Sequence, residues 1–67
     1  GIALKTQYAW DKQFSSTINV VFGNEWNAGN LSYHLKSRPS WQGPVDRYKL
    51  DQLKDYMCLD NVCVGFK

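Results

Sequence analysis

The sequence predicts a small α+β domain built on antiparallel sheet. Three observations carry that expectation. Apolar and polar residues alternate through the first third of the chain. One segment near residues 46–55 combines a capping residue with an amphipathic stripe. Two cysteines near the C-terminal end flank a short Asp-Asn turn. With 67 residues the chain makes a single domain, residues 1–67, whose core is thin. Domains of this size often add a disulfide or a metal to stay folded.

The first element is read as a strand. In IALKTQYAW, Ile2, Leu4, Tyr8 and Trp10 alternate with Ala3, Lys5, Gln7 and Ala9, the period of a half-buried strand. A second strand follows in FSSTINVVF, where Phe14, Ser16, Ile18, Val20 and Phe22 share a face. A three-residue loop, Asp11 to Gln13, pairs Trp10 with Phe14, Leu4 with Val20 and Ile2 with Phe22. That register brings the two apolar faces together. It asks Gln13 to adopt a left-handed conformation that suits glycine better.

GNEWNAGN has the composition of a broad loop, with two Gly and three Asn. LSYHLK alternates again and is read as a third strand, Leu31, Tyr33 and Leu35 inward. SRPSWQGP is irregular, because Pro39, Gly43 and Pro44 interrupt any ladder or helix. The one expected helix lies near 46–55. Asp46 can cap it, Val45 and Leu50 suit a hydrophobic staple, and Leu50, Leu53 and Met57 form one stripe.

The last element is a β-hairpin near 56–66. A two-residue turn at Asp60-Asn61 places Leu59 opposite Val62 and Cys58 opposite Cys63. Asp and Asn both tolerate the positive φ of a type I′ turn. The Cys58–Cys63 pair is then a non-hydrogen-bonded one, with Cα atoms about 4.5 Å apart, close enough for a disulfide. The same register puts Met57, Leu59, Val62 and Val64 on one face. Metal and redox readings are weaker. A structural zinc site needs four ligands, whereas the chain offers two Cys and one His, His34. A redox pair would read C-x-x-C rather than C-x4-C. No metal or other cofactor is expected.

A disulfide points to an oxidising compartment, so the expected localisation is secreted or periplasmic. The chain begins at Gly1 rather than Met, which fits a processed mature form or a trimmed piece. No apolar run is long enough to span a membrane. The net charge of +2 does not mark a nucleic-acid protein. Catalysis finds little support. His34 is the one histidine, no G-x-S-x-G motif or Gly-rich phosphate loop occurs, and the Asp51/Asp55 pair has Lys54 and Arg47 nearby in sequence.

Binding is the remaining class. The sequence points to a small non-enzymatic toxin, pathogen effector or inhibitor that works by surface contact with a macromolecule, most simply a protein. Lys36, Arg38, Trp41, Arg47 and Lys49 form the expected partner-binding set. Trp41 serves as aromatic anchor in the 36–43 loop and Arg38 as its charged neighbour. An alternative is a carbohydrate-binding module centred on Trp26, with Asn24, Asn27 and Asn30 around the ring. A third reading is an intracellular or phage-encoded protein that binds nucleic acid or a host enzyme, its cysteines reduced. Asn30-Leu31-Ser32 is also a glycosylation sequon.

Overall fold

The computed structural model describes all residues, 1–67. It is an α+β domain with one disulfide. In chain order the elements are α1 (Ile2–Gln13), β1 (Val20–Phe22), α2 (Glu25–His34), β2 (Ser40–Trp41), α3 (Arg47–Leu50), β3 (Asp55–Leu59) and β4 (Val62–Phe66). The sheet order is β2-β1-β4-β3. β1 pairs antiparallel with β4, and β4 antiparallel with β3. The sheet is mixed rather than wholly antiparallel, because β1 and β2 run parallel. A parallel pair needs a crossover element, and α2 supplies it.

The expected first strand is the helix α1. Its inward stripe is Ala3, Thr6 and Trp10, continued by Phe14 just past the end, a 3.6-residue period. The alternating residues Ile2, Leu4 and Tyr8 are exposed. Ala, Leu, Lys and Gln, which favour helix, fill most of the segment. Trp10 and Phe14 do touch, with ring centroids 4.3 Å apart, but as neighbours one helical turn apart and not across a sheet. Leu4 has no partner in Val20, and Gln13 is helical. The second expected strand shrinks to Val20–Phe22.

The expected loop and third strand are together the helix α2. Asn24 caps it, its Oδ1 accepting from the Asn27 N–H at 2.7 Å, and Glu25 lies in the favourable first turn. Ala28, Leu31 and Leu35 form the buried stripe. Tyr33 therefore points outward. Gly23 lets the chain leave β1 at this point. Its φ is +150°, and a Cβ there would lie 3.2 Å from both the Ala28 Cβ and the Val62 Cγ2.

The expected helix near 46–55 begins where predicted. The Asp46 Oδ1 accepts from the Tyr48 N–H at 2.9 Å. It ends after one turn, at Leu50. Tighter bonds follow, Gln52 N–H to Lys49 O and Leu53 N–H to Leu50 O, and the Lys54 N–H already donates to Phe66 O in the sheet. Strand pairing thus overrides helix continuation. The C-terminal hairpin forms in the expected register. Asp60 and Asn61 have φ of 50° and 65°, Cys58 pairs with Cys63, and the two are disulfide-bonded with Cα atoms 3.9 Å apart.

Strand alternation divides the core between the two faces of the sheet. Val21, Val62 and Val64 face α1 and α2, packing with Trp10, Ile18, Ala28, Leu31 and Leu35. Val20, Phe22 and Cys63 face the other way and meet Leu50, with Leu53 and Tyr56 partly buried beside them. Trp10 is fully buried, and its indole N–H donates to the Ser16 carbonyl. Burial of an aromatic side chain of this kind contributes about 1.5–3 kcal/mol. Met57 packs on the α1/α2 face whereas Leu50 and Leu53 pack on the opposite one. The expected Leu50/Leu53/Met57 stripe is therefore split across the sheet.

Candidate interaction surface

The α2 helix presents its outer side to solvent. Trp26 and Tyr33 are seven residues apart, two helical turns, so they share one side, opposite Ala28, Leu31 and Leu35. Their exposures are 78% and 65%. The 1.5 Å rise per residue sets them roughly 10.5 Å apart along the axis. Between them lie Gly29 and Asn30. Glu25, Trp26, Gly29 and Asn30 line a shallow hollow on this side.

Arg38 extends the surface. Its guanidinium carbon lies 4.9 Å from the Tyr33 ring centroid, within range of a cation–π contact. Its backbone has φ of 49°. Besides Arg38, only Asp60 and Asn61 among non-glycine residues have positive φ, and the hairpin turn requires it of them. A left-handed conformation costs a residue such as Arg about 1–2 kcal/mol. The position is fixed by the Arg38 N–H bond to Leu35 O at 3.0 Å and by the buried Pro39 that follows. Strained residues of this kind cluster at binding and catalytic sites.

The expected partner-binding set does not form one surface. Arg38 joins Tyr33 and α2. Lys36 lines a separate hollow with Ala3, Leu4 and His34, between α1 and the end of α2. Arg47 and Lys49 belong to α3, whose Leu50 packs on the opposite face of the sheet from α2. The sheet thus separates the two basic groups. Trp41 is not in a free loop. It lies in β2 and pairs with Val21 of β1, its indole N–H donates to the Gly23 carbonyl at 2.8 Å, and it is 41% exposed. One edge of its ring is therefore occupied by the fold.

The asparagines of the carbohydrate reading are partly committed too. The Asn24 Oδ1 caps α2. The Asn30 Nδ2 donates to the Trp26 carbonyl at 2.8 Å. Asn27 lends only its backbone N–H to the cap. Tyr33 is the residue that sequence reasoning missed, because period-two alternation placed it inside. The signal was available in the i, i+7 spacing from Trp26 behind an Asn cap.

A second exposed apolar group lies on α1, where Leu4 and Tyr8 are one turn apart and the Lys12 Nζ sits 4.5 Å from the Tyr8 ring centroid. It lacks both a tryptophan and a strained residue. No three or more His, Cys, Asp or Glu side chains are gathered where they could hold a metal ion. No helix is long and apolar enough to cross a membrane. The fold thus defines a small disulfide-bonded α+β domain with a mixed four-stranded sheet. Comparison with protein-family models, with curated proteins and with solved structures finds no match.

Proposed function

We propose that the protein is a small secreted or periplasmic binding domain, of the toxin, effector or inhibitor class, without a catalytic centre. Its contact surface is the outer side of α2, and its partner is a protein. The observation that carries this reading is the run Trp26–Tyr33–Arg38. These three residue types most often dominate interface energetics. Here Arg38 packs on Tyr33, Trp26 lies two turns away on the same side of α2, and the two aromatic side chains are largely free of the fold. The strain held at Arg38 supports a role beyond stability. The disulfide is consistent with an oxidising compartment.

The glycine at position 29 fits the same picture. A Cβ there would meet nothing within 4 Å, so alanine could be accommodated. Glycine inside a helix costs about 0.5–1 kcal/mol relative to alanine. A bare backbone between two exposed aromatic rings allows a partner to approach closely.

A second reading has one observation in its favour. Two exposed rings in line, with Glu25 and Asn30 beside Trp26, also suit stacking on alternate units of an extended oligosaccharide. The engaged amides of Asn24 and Asn30 make it the weaker of the two.

The test compares retention of partners by immobilised wild type, by Trp26→Ala/Tyr33→Ala, and by Tyr8→Ala as a control on α1. Protein mixtures and soluble polysaccharides are run in parallel. The proposal expects a protein retained by wild type and Tyr8→Ala and lost by the double variant, whose thermal midpoint is unchanged. Retention lost by Tyr8→Ala alone would move the surface to α1. Retention of a polysaccharide in place of any protein would favour the second reading.

A further inference from the structure

The opposite face of the sheet carries a site of different chemistry. α3 is one turn long and does not cover that face completely. A hollow of about 260 Å³ remains beside it. Its apolar base is chiefly the partly buried Leu53, in the turn after α3, above the buried Val20 and Phe22 of β1. Its rim is Lys49, Lys67, Gln42 and Gln52. No carboxylate side chain lines it.

The rim is positioned by the backbone. The Gln42 N–H donates to Val21 O at 2.8 Å, and the Gln52 N–H to Lys49 O at 3.2 Å. The Lys67 N–H donates to the Asn19 Oδ1 at 2.9 Å. These bonds hold the backbone of Gln42 to β1, of Gln52 to α3 and of Lys67 to Asn19, just before β1. The rim therefore presents ammonium and amide donors around an apolar base. Such a site complements one ligand class, an anion with a compact apolar body. The carboxylate would accept charge-assisted hydrogen bonds from the ammonium groups. The body would lie chiefly on Leu53, over the buried Val20 and Phe22.

We propose that this hollow binds small organic carboxylates, with Lys49 as the principal charge partner. The site is independent of the α2 surface, because the sheet lies between them. Two sources share the required chemistry: a free aromatic acid, and the C-terminal carboxylate of a peptide ending in an apolar residue.

The experiment is a titration followed by backbone amide NMR. The probes are benzoate, N-acetylphenylalanine, N-acetylphenylalanine amide and acetate. Saturable millimolar shifts are expected at Val20, Phe22, Lys49 and Leu53 with one or both of the first two. Tighter benzoate binding assigns free acids as the ligand source, and tighter N-acetylphenylalanine binding assigns peptide termini. The amide and acetate should each bind at least about tenfold more weakly, since each lacks half of the recognition. Lys49→Gln should weaken the carboxylates about tenfold, and Arg47→Gln should leave them unchanged. The Lys49→Gln amide spectrum, recorded first, verifies the fold. The proposal is overturned by an absence of saturable shifts, by equal binding of the amide, or by unchanged binding to Lys49→Gln.

Discussion

Gly65 shows how closely the short turn after α3 is fitted to the sheet. It lies in β4 opposite Tyr56, on the thin side of the sheet. A Cβ at this position would collide with the Leu53 Cδ1, sit 3.0 Å from the Asp55 carbonyl oxygen and 3.3 Å from the Tyr56 Cβ. The first contact can be relieved by a rotation of Leu53. The second is to backbone and cannot move alone. Overpacking of this kind costs about 1–3 kcal/mol. Gly65→Ala should therefore lower stability by about 2 kcal/mol, or roughly 8–16 °C in thermal midpoint for a domain of this size. Leu53 is only partly buried, so Leu53→Ala alone should cost about 1–2 kcal/mol, below the range for fully buried leucines. In the double variant the new methyl enters the space Leu53 vacates. The two effects should fall short of their sum by about 1 kcal/mol. Urea unfolding of the four proteins measures this coupling. A neutral Gly65→Ala, or strict additivity, would contradict the described packing of Leu53 on Gly65.

Replacing Cys58 and Cys63 by Ser should cost about 1–3 kcal/mol. Intact mass after alkylation, with and without prior reduction, should show no free thiol in the untreated protein, and two free thiols there would remove the argument for an oxidising compartment. Trp10→Phe should cost about 2–3 kcal/mol in urea unfolding, because it loses core volume and leaves the Ser16 carbonyl without its indole donor. Gly29→Ala should raise stability by about 0.5–1 kcal/mol while weakening partner binding; a variant that is more stable and binds equally well would show that the bare backbone has no part in contact.

The hairpin was legible because its determinants are local. Two residues tolerant of positive φ, with cysteines two positions from the turn, define both register and disulfide. Asp46 likewise marked the start of α3. The helices α1 and α2 were not legible from alternation. In α1 the large residues Ile2, Leu4 and Tyr8 stay outside, while much of the buried stripe is made of small ones, Ala3 and Thr6. A pattern read by side-chain size therefore follows the wrong face. In α2 the glycine and asparagines resembled a loop, although Asn24 is a cap and Gly29 points outward. The end of α3 depends on Lys54 pairing with Phe66, a contact between residues distant in sequence. The candidate surface was legible in pieces: Trp26 and Arg38 stood out separately, but only a helix through Tyr33 brings them onto one side.

The most direct measurement is photo-crosslinking to a captured partner from a p-benzoylphenylalanine placed at position 30, between Trp26 and Tyr33, compared with the same group placed at position 8 on α1 or position 47 on α3. If the outer side of α2 is the contact surface, a covalent adduct forms from position 30 and none from positions 8 and 47. An adduct from position 8 or 47, with none from position 30, would contradict that assignment.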